Sequence, residues 1–448
     1  MHLKKSALCA LAALAFCATN AKAQKINFTE YDMPNGLHVV LHDDHNAPVV
    51  AVSVMYHVGS KNEEAGRTGF AHFFEHLLFE GTDNIKRGEF FKLVSANGGQ
   101  NNANTTQDRT FYYEVFPSNQ LQMGLWMESE RMMHPVINEI GVKTQNEVVK
   151  EEKRLSHDNR PYGAFFDDVA VALFAKHPYH NGIIGTMDDL NAAKLDEFKN
   201  FFKQYYVPNN AVLTIAGDIN IAETKKLVEA YFGPIPRGAD VKYKKVEETP
   251  LTKQIIDTAY DANIQVPVIA VAYRTPGRDS KDAVTLDMLS SVLSGGQSSR
   301  MNKKMVDEKK NALQVLAFNY GLEDYGMYIV GALPNGGAPL SGLLTDIEQE
   351  IKNLQTDLIS EEEYQKLQNQ YENAFVSENT KMLGVAENLS NGYTFYHKDT
   401  NHLNEELAEY RSVTREDIRE AARKYLNPNQ RLLIYYLPKP ADKAKATK

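Results

Sequence analysis

The sequence predicts a fold that combines α-helices and β-strands in two similar domains. Runs rich in valine, isoleucine and aromatic residues predict strands, and the first two, Leu37–Leu41 and Val49–Tyr56, are joined by the polar turn Asp43–Pro48. Runs with an apolar stripe at helical spacing, such as Leu121–Met133, predict helices. With 448 residues, 43% of them hydrophobic, the chain is long enough to form two domains with cores of their own.

Two short segments recur along the chain in the same order. Ala47–Val52 (APVVAV) is echoed 219 residues later by Val266–Val271 (VPVIAV). Tyr205–Asn209 (YYVPN) is echoed 220 residues later by Tyr425–Asn429 (YLNPN). Because both echoes have nearly the same offset, they predict a duplicated domain.

A linker is predicted between the two copies. The stretch Gly233–Pro250 is rich in proline, glycine and lysine, a composition typical of interdomain segments. We therefore expect an N-terminal domain over residues 24–235, a linker over 236–250 and a C-terminal domain over 251–448.

The first 23 residues predict a cleaved secretory signal peptide. Lys4 and Lys5 precede the uncharged run Ser6–Ala21, and a small-x-small cleavage site ends at Ala23. That run has 16 residues, which is short for a membrane span. We expect an exported, periplasmic protein without a membrane span, since no later stretch is long and apolar enough to form one.

Composition excludes several classes of function. Both cysteines, Cys9 and Cys17, lie in the signal, so the mature chain has no disulfide, thiolate ligand or cysteine nucleophile. A lipid anchor on Cys17 is disfavoured because Phe16 stands where a small residue is expected. Loss of the signal lowers the basic residues from 49 to 46 against 58 acidic residues, a formal charge of −12, so we expect no nucleic-acid partner.

The stretch Gly69–Thr82 (GFAHFFEHLLFEGT) predicts a catalytic metal site. On a helix, His72 and His76 lie one turn apart on one face, and Glu75 lies close enough to reach a water between them. Two imidazoles and a carboxylate base suit catalytic zinc, and the order His-x-x-Glu-His is the inverzincin motif. The alternative, a buried helix with incidental histidines, leaves three ionisable groups unpartnered in an apolar run, which is costly.

The predicted zinc site needs a third protein ligand. Thr144–Leu155 (TQNEVVKEEKRL) predicts a charged helix, and Glu147, Glu151 and Glu152 are its candidates on spacing alone. An ordinary solvated helix would have the same composition, so the segment does not choose among them.

The duplication is chemically asymmetric. An offset of 219 places the three metal-motif positions on Ser291, Ser294 and Gly295, none of them a metal ligand in this role. The second half contains only two histidines, His397 and His402, and no His-x-x-Glu-His. We expect one metal site per chain.

A strand is predicted close in sequence to the metal helix. Gln100–Phe116 is rich in threonine and aromatic residues, and Asn102–Thr106 predicts an edge strand. An ordinary buried strand is the alternative.

Six motifs in order along the mature chain resemble the pitrilysin and mitochondrial processing peptidase family of zinc peptidases, of a bacterial exported type. They are HVGS at His57–Ser60, HFFEH at His72–His76, NANTTQDRTFYY at Asn102–Tyr113, VVKEEKR at Val148–Arg154, PYG at Pro161–Gly163 and YYVPNNAVLTIAGD at Tyr205–Asp218. The resemblance implies an α+β fold with two similar domains in a clamshell around an enclosed chamber. Each domain would be a mostly antiparallel sheet flanked by helices, with the metal on the first.

The resemblance also implies roles for individual residues. In that family the third ligand lies four residues after the first valine of a Val-Val pair, which is Glu152 here. His72, His76 and Glu152 would hold one Zn2+, with Glu75 as the catalytic base. A further glutamate is often found seven residues before the third ligand, where this chain has Gln145, which can hydrogen-bond from outside the ligand set but brings no charge.

Substrate binding and activity are implied in the same way. A peptide would add to the edge strand at Asn102, Ala103, Asn104 and Thr105. The implied function is a zinc-dependent endopeptidase that hydrolyses peptides or unfolded protein segments in the chamber. A noncatalytic structural subunit of the same family is the alternative.

The second domain predicts a partner. Relatives often carry there an arginine and a tyrosine, seven residues apart, that help to hold substrate. Aligned on its Gly-Gly and Ser-Ser-Arg landmarks, this chain has Val306 and Leu313 at those positions, and neither can donate a hydrogen bond. We expect a heterodimer with a paralogous chain that lacks zinc ligands; a homodimer that uses Arg300 or Tyr320 is the alternative.

Overall fold

The computed structural model describes residues 25–440. The predicted signal peptide, 1–23, with Cys9 and Cys17, lies outside the described residues. Within the described range, no helix combines the length and apolar character that crossing a bilayer requires.

The first half of the chain forms a six-stranded sheet. Its strands are β1 (Thr29–Asp32), β2 (His38–Asp43), β3 (Val49–Tyr56), β4 (Gln100–Thr105), β5 (Thr110–Pro117) and β6 (Ala211–Gly217). They lie in the order β1-β2-β6-β3-β5-β4, and only the β2–β6 pair is parallel. The two strands predicted first, β2 and β3, are therefore not neighbours, because β6 lies between them.

The second half forms a five-stranded sheet with the same topology. Its strands are β7 (Ile255–Asp261), β8 (Val268–Pro276), β9 (Ala312–Gly321), β10 (Tyr325–Pro334) and β11 (Leu432–Pro438). Their order β7-β11-β8-β10-β9 repeats β2-β6-β3-β5-β4, and the parallel pair β7–β11 repeats β2–β6. The predicted fold class, two similar α+β domains with mostly antiparallel sheets, is confirmed.

Fourteen helices flank the two sheets within the described residues. In the first half they are α1 (Phe70–Leu77), α2 (Phe90–Ala96), α3 (Leu121–Met133), α4 (Glu139–Glu152), α5 (Phe165–Leu173), α6 (Met187–Ala192), α7 (Leu195–Tyr205) and α8 (Ile221–Phe232). In the second half they are α9 (Lys281–Ser294), α10 (Leu340–Thr356), α11 (Glu361–Glu378), α12 (Met382–Phe395), α13 (His402–Ser412) and α14 (Arg415–Tyr425). Short π-helical turns at Lys153–Asp158 and Asn302–Glu308 follow α4 and α9.

The two halves exchange one helix each. Val169 of α5, from the first half, shares a buried cluster with Ile434 of the second sheet. In return, Leu389 of α12, from the second half, is buried with Val40 of the first sheet. Because each sheet is covered partly by the other half, separating the halves would expose apolar surface on both.

The structure corrects two predicted elements. The single strand predicted over Gln100–Phe116 is a hairpin of β4 and β5, because the Thr106 hydroxyl accepts hydrogen bonds from the N–H groups of Asp108 and Arg109 and closes a turn. The charged helix predicted over Thr144–Leu155 begins earlier, at Glu139, where the Asn138 side chain caps it.

The predicted linker, 236–250, contains no helix or strand. It is not free of the first half, because the Tyr243 hydroxyl donates to the His57 carbonyl at 2.6 Å. The proposed domain boundaries remain a prediction.

Candidate active site

The metal-motif helix α1 is fixed at its start by a buried carboxylate. Glu63 accepts hydrogen bonds from the N–H groups of Gly69 and Ala71, each at 2.8 Å. Gly69 has φ +91°, and a Cβ there would lie 2.7 Å from the Ile184 carbonyl oxygen, so the position requires glycine. Burial raises the pKa of Glu63 well above its usual range. Sequence analysis missed Glu63, because its contacts form only after the loop folds back.

Three predicted ligands converge beside α1. One donor atom each from His72, His76 and Glu152 lies within 4.8 Å of the other two. Oε2 of Glu152 is 3.0 Å from Nε2 of His76, and Oε1 is 3.6 Å from Nε2 of His72. Hydrogen bonds from the two histidines hold the pKa of Glu152 well below its usual range. Both histidines come from α1, and Glu152 is the last residue of α4.

The other candidate glutamates of α4 face elsewhere. Glu147 pairs with Lys150 at 2.7 Å, and Glu151 pairs with Arg154 at 3.0 Å. Of the three candidates, Glu152 is the one that the helix directs toward the histidines.

The donor set fits zinc. Two ligands bonded at about 2.0–2.1 Å in a tetrahedron are separated by about 3.3 Å, and the two His–Glu distances lie on either side of that value. Two imidazoles and one carboxylate are also a combination found in catalytic zinc sites, which leave one position open. Within the described residues, this is the one group of three such donors close enough to share an ion.

Glu75 stands apart from the three converging donors. Its Oε2 accepts a hydrogen bond of 2.7 Å from the hydroxyl of Thr105, the last residue of β4. The carboxylate is partly buried. Glu75 is thus held beside the edge strand.

The strand β4 lies at the free edge of its sheet, so the predicted edge strand is confirmed and the buried strand is wrong. The N–H of Ala103 donates at 2.9 Å to the side-chain oxygen of its neighbour Asn102, which is exposed. Asn104 accepts from Arg109 at 2.5 Å. The N–H of Ala103 at this edge is therefore satisfied by the exposed side chain of a neighbouring residue.

Gln145 contacts a carboxylate rather than the histidines. Its amide donates to Glu80, which Arg87 also binds, while Nδ1 of His72 is buried without a partner among the described residues. The predicted contact from Gln145 to a metal ligand stays a prediction. Sequence analysis missed Glu80, although it lies only four residues after His76.

The counterpart helix in the second half, α9, carries Ser291 and Ser294 at the positions that match His72 and Glu75 of α1. Ser291 lies 3.0 Å from the Tyr371 hydroxyl, and Ser294 is hydrogen-bonded to the backbone of Ala317 in β9. His397 is exposed beside Asp279. His402 stacks on the ring of Tyr396.

The two residues at the expected substrate-holding positions of the second half differ in their surroundings. Val306 packs against the second core, and Leu313 is 53% exposed. Arg300 makes two hydrogen bonds to Glu363, at 2.7 and 2.9 Å. Tyr320 donates to Gln107 at 3.0 Å. Both residues of the homodimer alternative are thus engaged within the chain.

Comparison with known sequences finds relatives over nearly the whole chain. A family profile described as "Insulinase (Peptidase family M16)" matches residues 38–187, and one described as "Peptidase M16 inactive domain" matches residues 192–371. A protein named zinc protease PqqE, from Helicobacter pylori, is 30% identical over 413 residues, which are 91% of this chain and 92% of that protein. An uncharacterized zinc protease of Bacillus subtilis, YmxG, is 26% identical over 79% of this chain and 85% of its own length.

Solved structures agree with these sequence matches. The crystal structure of a protease from Helicobacter pylori superposes with a TM-score of 0.88 at 28% identity, over 93% of this chain and all of that one. The periplasmic protease PqqL from Escherichia coli superposes at 0.76 and 17% identity, over 92% of this chain and 48% of that one. Pitrilysin superposes at 0.75 and 17% identity, over 95% of this chain and 47% of that one. The last two likenesses concern the fold alone.

Proposed function

The chain belongs to peptidase family M16, and from that premise we propose that it is a zinc-dependent endopeptidase that hydrolyses peptides or unfolded protein segments. Membership confirms the resemblance drawn from the motifs. The observation that carries the proposal is the convergence of His72, His76 and Glu152, with Glu75 held close by but outside that set. A noncatalytic subunit would not need all four groups.

In this proposal His72, His76 and Glu152 hold one Zn2+. Zinc bound there would supply Lewis acidity, which polarises a scissile carbonyl and lowers the pKa of a bound water to about 7. The chain's own contribution is to hold two imidazole rings and one carboxylate at fixed separation. The short helical spacing on α1 and the position of Glu152 at the end of α4 achieve this.

Glu75 is the proposed general base. It would accept a proton from the attacking water at a carboxylate oxygen and pass it to the leaving amine. The hydroxyl of Thr105 donates to Oε2, which keeps the carboxylate oriented and leaves Oε1 for the water.

A peptide would bind by adding to β4. Edge addition uses backbone hydrogen bonds, so it tolerates many side chains, as a protease of unfolded segments requires. Asn102, Ala103, Asn104 and Thr105 are the strand residues proposed to contact it. Asn102 is exposed and Asn104 and Thr105 are half-buried, which supports the proposal.

We place the protein in the periplasm. The predicted signal peptide over residues 1–23 supports export.

A partner chain is proposed to complete the chamber. Val306 and Leu313 cannot hold a substrate by hydrogen bonds, while Arg300 and Tyr320 are engaged by Glu363 and Gln107. A paralogous chain that brings an arginine and a tyrosine would supply the missing half. PqqL and pitrilysin are each about twice as long as the part that this chain matches, so each has room for two chains of this size.

The test of the catalytic proposal separates metal binding from turnover. Glu75→Gln should keep one zinc per chain and lose turnover by about 1,000-fold or more, because an amide cannot accept the proton. His72→Ala, His76→Ala and Glu152→Ala should lose the zinc itself. Metal analysis and a peptide-cleavage assay on the same preparations decide the division of roles.

Glu151→Ala is the matched control, since it removes a neighbouring carboxylate of the same helix that pairs with Arg154. It should keep both zinc and activity. If instead Glu151→Ala lost zinc while Glu152→Ala held it, the assigned ligand set would be wrong.

The partner is tested by reconstitution. The purified chain should bind zinc but cut peptides poorly, and adding a paralogous chain with the arginine and tyrosine should raise the rate. Full activity of the chain alone, abolished by Arg300→Ala, would establish the homodimer instead.

A further inference from the structure

We propose that the second half of the chain positions the substrate strand and the base by holding the turn between β4 and β5, with Asp108 as the central positioning residue. Among its described residues, this half brings no three metal-binding side chains together. This inference rests on the proposed peptidase function. It concerns the turn Thr106–Arg109, which begins directly after Thr105.

The turn is docked first onto the loop that precedes α1. The N–H groups of Ser60 and Lys61 donate to the carbonyls of Thr106 and Gln107, at 3.2 and 3.0 Å. A Cβ at Gly59 would lie 2.4 Å from the backbone of the turn, so only glycine permits this approach. The loop and the turn therefore form one rigid backbone unit.

Three consecutive residues of the turn are then bound by the second half. The pairs are Gln107 with Tyr320, Asp108 with Glu323 and Arg109 with Glu387. The Tyr320 hydroxyl donates at 3.0 Å and the Glu323 N–H donates at 2.9 Å, while Arg109 and Glu387 form an ion pair. These partners lie on β9, on the β9–β10 turn and on α12, so three elements of the second half hold one short turn.

Asp108 is the most deeply buried member of this contact. Its side chain is fully buried, and it accepts a hydrogen bond of 2.6 Å from the Tyr179 hydroxyl. Lys61, also buried, lies 3.0 Å from Asp108 and 2.5 and 3.1 Å from Glu323 and Asp324. One lysine thus joins carboxylates from both halves, where low dielectric strengthens the attraction and makes loss of a partner costly.

The consequence for the site follows from chain connectivity. Thr105, whose hydroxyl donates to Glu75, is three residues before Asp108. The turn also closes on itself through the Thr106 N–H and the Arg109 carbonyl, at 2.8 Å. Movement of Asp108 would therefore shift the end of β4 and with it both the peptide edge and the partner of the base.

Asp108→Asn is the principal test, carried out on the zinc-loaded full chain in the assembly that shows activity. It should leave zinc content unchanged, raise amide hydrogen exchange in residues 100–106, and lower kcat/KM at least tenfold. Asp346→Asn is the matched control: Asp346 is a buried carboxylate of the second half that binds Lys309 and Asn311 away from the turn. That variant should change neither exchange in β4 nor kinetics.

A double-mutant cycle separates positioning from general loss of stability. If Asp108 acts through Thr105, the two substitutions should not be additive. In a protein that already carries Thr105→Val, Asp108→Asn should lower kcat/KM by less than about a further threefold. The proposal would be overturned if the fold-losses in kcat/KM of the two substitutions multiplied. Unchanged amide hydrogen exchange in residues 100–106 of Asp108→Asn would overturn it as well. Should Asp108→Asn fail to fold, Tyr320→Phe removes only the hydrogen bond to Gln107 and should change exchange and kcat/KM in the same direction, by about two- to fivefold.

The exchange measurement also keeps this inference separate from the proposed function. If the wild-type assembly cleaves no peptide, the peptidase proposal fails. Even then, faster amide exchange in β4 of Asp108→Asn would establish that Asp108 positions this strand, and unchanged exchange would refute it.

Discussion

The two halves use the same helix and the same edge strand for opposite purposes. In the second half, Ser294 of α9 accepts from the N–H of Ala317 at 2.7 Å and donates to its carbonyl at 3.1 Å, so a helix side chain occupies the outward backbone of β9. In the first half, the outward N–H of Ala103 in β4 is occupied only by the exposed side chain of Asn102. The β9 edge, which a packed helix covers, is called the closed edge below. The β4 edge, which only an exposed amide side chain covers, is called the open edge.

Both helices are largely buried, but they carry different side chains. Buried residues lie along most of α9, including Leu286, Leu289 and Leu293, because it packs between β9 and other helices. On α1, Phe73 and Phe74 pack against Phe198 of α7, and the opposite side is left for the metal motif. The two halves have equivalent edges, and among the described residues only the half with the open edge brings three possible metal ligands together.

Among the substitutions that compare the two edges, the one that blocks the open edge should change KM most. Ala103→Pro removes the one N–H that a bound peptide would use there, without breaking the ladder, since that N–H does not pair with β5. KM should rise about tenfold or more while zinc content and the thermal unfolding temperature stay close to wild type. Steady-state kinetics on the zinc-loaded chain measure this.

Ala103→Gly is its control, because it shortens the same side chain but keeps the N–H. It should retain most of the substrate affinity. A folded Ala103→Pro protein with unchanged KM would show that peptide does not add to β4.

A smaller effect is expected at the closed edge, on stability alone. Ser294→Ala leaves the N–H and carbonyl of Ala317 without their partner, which should lower the free energy of unfolding by about 1–3 kcal/mol. The midpoint of urea denaturation should fall, while kcat and KM stay unchanged at temperatures where the protein is folded. A change in KM without a change in stability would mean that β9, too, meets substrate.

Sequence analysis succeeds where chemistry depends on local spacing. The i, i+4 histidines and the intervening glutamate need only one helix to define a site, and the structure brings His72 and His76 together as that spacing requires. The third ligand is different. Spacing left three glutamates of α4 open, and only the end of that helix and the ion pairs of its neighbours direct Glu152 to the histidines.

Contacts between distant residues lay beyond sequence reasoning. The N–H of Glu323 and the carboxylate of Asp108 are 215 residues apart in the chain, and no periodicity marks either one. The same holds for the packing of α5 and α12, each of which covers the sheet of the other half. An apolar stripe predicts that a helix covers a sheet, but it does not say which of two similar sheets it covers.

The smallest expected effect tests whether the open edge is held closed by Asn102. Because the Ala103 N–H must release the Asn102 side chain before a peptide can accept from it, Asn102→Ala should lower KM by about two- to threefold, the size of one weak intramolecular hydrogen bond. Asn102→Asp keeps the acceptor and serves as the control, with KM near or above wild type. Steady-state kinetics on both variants decide the direction. A rise in KM for Asn102→Ala would instead mean that the Asn102 side chain itself binds the peptide, and the open edge would then differ from the closed one by what that side chain binds rather than by how easily it leaves.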